Sequence, residues 1–243
     1  MPVSATSKPS VLTQSAMSSA SRRKKEIIEL LSRHATEIVS GSVVVLYIDQ
    51  CHLIWDDARG YVWGPRDQRI EIPITNFRER QTYYGAIEPL SGELIVVPTE
   101  SANGSWTTIF VEYFREQFPE KRLILLWDGA SYHRGVEMQE YLEAVNLKRS
   151  RDEWWVTCVL FAANAPEQNP IEDVWLKAKE YVRKHWHKCA TFQLVIHLFE
   201  EALNTLSFQF EKLRMYLPFW FFGNCRGKHA FSCLVLAHYK AMH

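Results

Sequence analysis

The sequence predicts an α/β fold, a mixed sheet flanked by helices, and three observations carry that prediction. Two unbroken apolar runs, Val43-Val44-Val45-Leu46-Tyr47-Ile48 and Leu123-Ile124-Leu125-Leu126-Trp127, each end on an aspartate, Asp49 and Asp128. Runs of this length read as strands buried on both faces. Between them lie segments that read as an antiparallel meander, and after each later strand comes a stretch with helical period. A meander followed by strand-helix-strand-helix gives a mixed sheet with helices on both sides.

The elements follow in order. Residues 1–21 are rich in Ser, Thr and Ala without an apolar period and read as a disordered leader. Arg22-Arg23-Lys24-Lys25 opens a helix from about Ser21 to Ser40, with Ile27, Ile28, Leu30, Leu31, Ile38 and Val39 on one face. The basic tetrad is a phosphate contact or a solvated helix start. After the Val43 strand, which continues through Gln50-Cys51-His52-Leu53-Ile54-Trp55, Asp56 to Gly60 reads as a hairpin turn. Tyr61 to Gly64 is the return strand, and Gln68 to Ile74 alternates as a half-exposed strand does. Gln81–Ile87 and Leu94–Val97 are further strands. Ser105 caps a helix to about Phe118, with Ile109, Phe110, Tyr113 and Phe114 inward. A helix over Val136–Val145, a charged loop over Lys148–Glu153 and a strand over Trp154–Phe161 complete this part.

Composition narrows the function classes. The 243 residues suffice for one domain with a substantial core. Lys+Arg and Asp+Glu are both 28, so net charge argues neither for nor against nucleic acid. Five cysteines, without a CxxC pair, favour free thiols and a reducing, cytoplasmic compartment. Neither a signal-peptide core nor a membrane-length apolar run is present.

A third carboxylate stands in Ala163-Asn164-Ala165-Pro166-Glu167-Gln168-Asn169-Pro170-Ile171-Glu172-Asp173-Val174-Trp175. Asn169 suits an N-cap and Pro170 the first helical position, so a helix is expected from Pro170 to about Lys188. On it, Ile171, Val174, Trp175, Ala178 and Val182 form an apolar stripe, and Glu172, Lys179 and Arg183 share a second one roughly 90° away. A first-turn carboxylate with two cations along its line suits a metal ligand beside a phosphate groove. Taken singly, each feature has a plainer reading: Asp128 as a turn cap, Glu172 as a helix-dipole partner, the cations as solvated charges. Together they suit phosphodiester chemistry, in which two Mg²⁺ ions held by a few hard oxygens activate a nucleophile and stabilise the leaving oxygen.

Tyr47-Ile48-Asp49, Trp127-Asp128-Gly129-Ala130-Ser131-Tyr132-His133 and Asn169-Pro170-Ile171-Glu172-Asp173-Val174-Trp175 resemble the catalytic blocks of DDE transposases, in the branch of mariner-related bacterial insertion sequences. The resemblance covers roughly residues 42–216. It implies a ribonuclease-H-like, retroviral-integrase-like fold with a mixed five-stranded sheet, and Asp49, Asp128 and Glu172 as the catalytic and metal-binding triad. It further implies Mg²⁺, with Mn²⁺ as a substitute, and cleavage and transfer of element-end DNA, commonly into a TA dinucleotide. By the same analogy a dimer acts on DNA. His133 matches the histidine that usually follows the second aspartate, where it orients a phosphate or water or serves the structure. His133, Lys179, Arg183 and Lys184 are the candidate DNA contacts.

Three departures stand out. Forty-three residues separate Asp128 from Glu172, more than the usual mariner spacing, with the excess assigned to the Asn146–Trp155 loop. Relatives carry helix-turn-helix modules ahead of the catalytic domain, and the residues before Val43 are too few for one. A separate reader subunit, an upstream frame or a truncated copy is the expectation. The stretch 217–243 is an apolar tail unlike the family, which divides the chain into 1–41, 42–216 and 217–243. Two other functions compete: a catalytically silent or repurposed DNA-binding remnant, and a ribonuclease-H-like nuclease acting on other nucleic acids.

Overall fold

The computed structural model describes residues 14–58, 79–163, 165–217 and 233–235. The central strand is β1 (Val43–Ile54). It pairs in parallel with β4 (Arg122–Trp127) and antiparallel with β2 (Arg80–Ile87). Beyond β4 lies β5 (Val156–Leu160), parallel to it, and beyond β2 lies β3 (Leu94–Thr99), antiparallel. These five strands make the expected mixed sheet. A short sixth strand, β6 (Cys233–Val235), adds in parallel to β3, so the observed order is β5-β4-β1-β2-β3-β6.

Alternation along β1 divides the core into two layers. Val43, Val45, Tyr47, Cys51 and Leu53 face a layer built with α1 (Gln14–Arg33), α2 (Ala35–Ser40), α5 (Ile171–Lys184) and α6 (Phe192–Thr205). Val44, Leu46 and Ile48 face the other, with α3 (Gly104–Gln117) and α4 (Val136–Val145). Each aliphatic side chain so buried contributes about 1.5–3 kcal/mol. With apolar layers on both faces, β1 and β4 are fixed elements, and the groups at their ends inherit that rigidity.

Several boundaries differ from the sequence expectation. The first helix begins at Gln14, inside the stretch read as a disordered leader, because Gln, Ala and Met extend a helix readily once Ile27 and Leu31 anchor it. It breaks at His34, and Gly41, at φ 76°, ends α2 in the left-handed conformation that glycine adopts without strain. The cap of α3 is Asn103, whose side chain accepts from the Trp106 amide, and not Ser105. The inward residues of α3 are Thr107, Phe110, Val111 and Phe114, while Ile109 is exposed. The α5 helix stops at Lys184 because its apolar stripe runs out after Val182, and Trp186–Lys188 forms a 3₁₀ turn. Helix α6 goes beyond the expected elements, although Phe192, Val195, Leu198, Phe199, Ala202 and Leu203 show its period and Thr191 caps it. The expected strands over 61–64 and 68–74 lie outside the described residues. No helix among the described residues is long and apolar enough to cross a membrane.

Candidate active site

The pairing of β1 with β4 brings two of the carboxylates together. Their ladder ends at Tyr47↔Leu126, and continuing that register by two residues sets Asp49 beside Asp128. Adjacent strands lie roughly 4.8 Å apart. Asp49 has the parity of Tyr47, which faces the α5 side of the sheet, and Asp128 follows the last residue of β4. Glu172, in the first turn of α5, lies close enough to Asp49 for its charge to act on that carboxyl. The charge of Asp128 is felt by both.

The three acids sit in different environments. Asp49 is buried at 8% exposure, and burial, then the neighbouring Glu172, push its pKa well above the usual carboxylate range. Glu172 is half-buried and also raised, chiefly by burial, while the Lys212 cation opposes the rise. Asp128 has a half-exposed side chain, and the hydrogen bond from His133 holds its pKa low. Among the described residues, no three His, Cys, Asp or Glu side chains stand close enough to hold one ion as a closed set. Mg²⁺ does not need one, since it keeps several waters and takes one or two carboxylates. Two carboxylates side by side in a partly buried site repel one another, and a divalent cation would relieve that repulsion. The donors are hard oxygens throughout, so the residues fit Mg²⁺ or Mn²⁺.

Four further side chains and one glycine fix these acids. The Trp175 indole Nε1 donates to Asp49 Oδ2 at 3.3 Å. Asn169 Nδ2 donates to the Ile48 carbonyl at 3.0 Å, which ties the start of α5 to β1 one residue before Asp49. Gly85 on β2 pairs with Asp49 across the ladder. A β-carbon on Gly85 would lie 2.3 Å from Trp175 Cη2, so the indole occupies the space that a side chain would fill. Gln50 Nε2 donates to His133 Nε2 at 3.0 Å. An amide nitrogen can only donate, which leaves the imidazole proton on Nδ1. That proton points at Asp128, with Nδ1 2.9 Å from Oδ1 and 3.1 Å from the backbone oxygen. The Ala130 amide donates to the same Oδ1, leaving Oδ2 as the outward oxygen of Asp128.

The candidate DNA contacts separate into two groups. His133 is not at a DNA-facing surface: its side chain is 0% exposed, and its ring stacks on Trp127 at 4.3 Å. It lies buried beneath Asp128, with its Nδ1 at hydrogen-bond distance from that carboxylate. Lys179 is turned back onto β1, where it pairs with Asp57 at 3.1 Å and donates to the His52 carbonyl at 3.0 Å. Arg183 is half-buried and Lys184 exposed, at the far end of α5. Sequence reasoning placed Trp175 only in the apolar stripe and passed over Gly85 and Gln50. Trp175 lies inside the Asn-Pro-Ile-Glu-x-x-Trp block, which was the available signal. Gln50 and Gly85 carry none until the strands are paired.

Comparisons with known proteins bear on this geometry. No curated protein matches the chain in sequence comparison. Among solved structures, the Mos1 transposase paired-end complex with its left transposon end aligns with a TM-score of 0.53 at 17% identity, covering 89% of this chain and 62% of that one. The Mos1 transposase catalytic domain with raltegravir and Mn aligns at 0.50 and 15% identity, covering 86% of this chain and 92% of that one. The same domain with raltegravir and Mg aligns at 0.50 and 15%, covering 84% and 91%. At these identities the likeness establishes a shared ribonuclease-H-like fold, and the chain spans less than two thirds of the length of the transposase in the DNA complex. The family model described as DDE superfamily endonuclease matches residues 44–193, a span that contains β1, β4 and the start of α5 with all three carboxylates. The chain therefore belongs to the DDE superfamily endonuclease family.

Proposed function

We propose that this protein is a transposase catalytic domain that cleaves DNA strands and transfers them, with Asp49, Asp128 and Glu172 as its reactive acids. The observation that carries the reading is the buried Asp49 beside the half-buried Glu172, with Asp128 at the end of the neighbouring strand. Asp49 and Glu172 would hold one divalent ion and Asp128 would contribute to a second. Bound there, Mg²⁺ or Mn²⁺ would lower the pKa of an attacking water or 3′ hydroxyl and neutralise charge on the departing oxygen. The protein's own part is positional: Trp175 and Asn169 hold Asp49 and the start of α5, and His133 turns Asp128 so that Oδ2 faces outward. No covalent enzyme intermediate is required, so no serine or cysteine is assigned as nucleophile. The substrate of this reading is double-stranded element-end DNA. A dimer on DNA and a separate end-reading subunit extend it by analogy.

The test is divalent-dependent nicking. Supercoiled plasmid is incubated with the protein in Mn²⁺ or Mg²⁺, beside an RNA–DNA hybrid. DNA nicking that disappears in Asp128→Asn, with an unchanged melting curve, is expected. Nicking that persists in Asp128→Asn rules the triad out. Preference for the hybrid would instead identify a ribonuclease-H-like nuclease, and metal-independent DNA binding without any nicking a silent remnant.

A further inference from the structure

From its last turn onward, α5 leads into a run that the carboxylates do not account for. Arg183-Lys184-His185-Trp186-His187-Lys188 contains three fixed cations, two histidines and no acid. Trp186 is 66% exposed, and among the described residues its indole makes no hydrogen bond or ring contact. Nor do Arg183, Lys184 or Lys188 form an ion pair among those residues. A lone exposed aromatic is ordinary on a surface, but one standing among cations offers a stacking face to something that would cover it. The neighbouring charge says what that is: a polyanion with flat apolar faces. His185 does not compete for it, because its Nδ1 is bound to the Tyr181 carbonyl at 2.8 Å and its ring lies 4.2 Å from the Tyr181 ring.

The helix fixes where the start of this run lies relative to the acids. At 100° per residue Arg183 shares the stripe of Glu172, and the rise places it about 16 Å further along. The intervening cation on that stripe, Lys179, is paired with Asp57. At 3.4 Å per nucleotide along one strand, that span corresponds to about five nucleotides.

We infer that Arg183, Lys184, Trp186 and Lys188 form a second DNA contact, gripping backbone phosphates about five nucleotides from the cleaved bond and stacking Trp186 on an unpaired base. The inference rests on the proposed DNA-cleaving function for its choice of partner. It adds a contact remote from the acids, together with a preference for DNA that has a single-stranded segment. Such a segment is what strand cleavage and transfer expose.

Binding without cleavage tests it. Fluorescence anisotropy, with divalent ions removed, measures affinity for a blunt duplex and for the same duplex carrying a single-stranded oligothymidine tail. Wild-type protein should favour the tailed DNA. Trp186→Ala should lose about five-fold or more on the tailed DNA and less than about two-fold on the blunt one, and Trp186→Phe, which keeps a stacking ring, should retain most of the preference. The triple variant Arg183→Ala/Lys184→Ala/Lys188→Ala should flatten the dependence of log K on log salt by about 2–3 on both DNAs. Unchanged affinities and slopes overturn the inference. So does an equal loss on both DNAs in Trp186→Ala, or sedimentation showing that Trp186→Ala converts a dimer to a monomer, which would make a second copy the occupant. If the wild-type protein never nicks DNA yet shows these binding differences, the cleavage reading fails and the contact stands.

Discussion

Gly85→Ala is the smallest change that reaches the candidate active site without touching a carboxylate. The added methyl would stand 2.3 and 2.5 Å from Trp175 Cη2 and Cζ2, and 3.1 Å from Ile171 Cδ1. Carbon atoms settle at roughly 3.5–4.0 Å, so the indole must retreat by more than about 1 Å or the helix must lift. Either movement breaks the 3.3 Å bond from Trp175 to Asp49. Overpacking of this kind costs about 1–3 kcal/mol, and losing the indole hydrogen bond adds about 0.5–1.5 kcal/mol. In a domain of this size 1 kcal/mol corresponds to about 2–4 °C, so the melting temperature should fall by several degrees. Nicking measured well below the melting temperature should fall as well, because Asp49 loses its fixed orientation. The effect must run through the indole. Combined with Trp175→Leu, Gly85→Ala should therefore add less than its own single-site loss, a coupling of at least about 0.5 kcal/mol. Gly85→Ala that melts and nicks like wild type, or losses that simply add in the double variant, would refute the account.

Other outcomes follow from the same contacts. Asp49→Asn removes one member of the close acid pair, so the metal-free variant should melt higher than wild type. Added Mn²⁺ should raise the wild-type melting temperature and leave that of the variant nearly unmoved, which calorimetry with and without EDTA can check. Gln50→Leu removes the partner that fixes the His133 tautomer. It should lower nicking by about 10–100-fold and raise the metal concentration needed, with little change in melting, and an unaltered metal dependence would disprove the positioning role. Away from the site, burial raises the pKa of Glu88 against the opposing hydrogen bonds from Ser91. A carboxyl raised on folding binds its proton more tightly than in the unfolded chain, so its contribution is greatest below the unfolded pKa of about 4.3 and is lost as pH climbs through the folded value. Glu88→Gln should therefore gain on wild type in melting temperature as pH rises from about 4, and a gap that stays constant with pH would contradict this.

Much of the architecture was legible in the chain because burial on two faces leaves a plain mark. The runs ending at Asp49 and Asp128 are apolar without interruption since every residue from Val43 to Ile48 and from Leu123 to Trp127 is buried. The Val136–Val145 helix and the apolar stripe of α5 were equally readable, as was the Asn-Pro-Ile-Glu-x-x-Trp block that marks the third acid. Boundaries were less so. Asn103 displaced Ser105 as a cap through a local competition that the sequence leaves open, and β6 depends on a pairing with β3 more than a hundred residues away.

By itself, then, the sequence determined which residues could be strands, which acids end them and which family their blocks resemble, because periodicity and motif spacing are local properties. Tertiary structure alone decided how the acids are held. It laid the Trp175 indole over a glycine of another strand, turned Lys179 onto Asp57 and buried His133 beneath Asp128. Each of those outcomes joins residues at least 5 and as many as 122 positions apart, and depends on the angle at which α5 crosses the sheet, on the turn after β4, and on the register of β1 with its neighbours. Register and packing angle are properties of the assembled layers, and no single stretch of the chain encodes them.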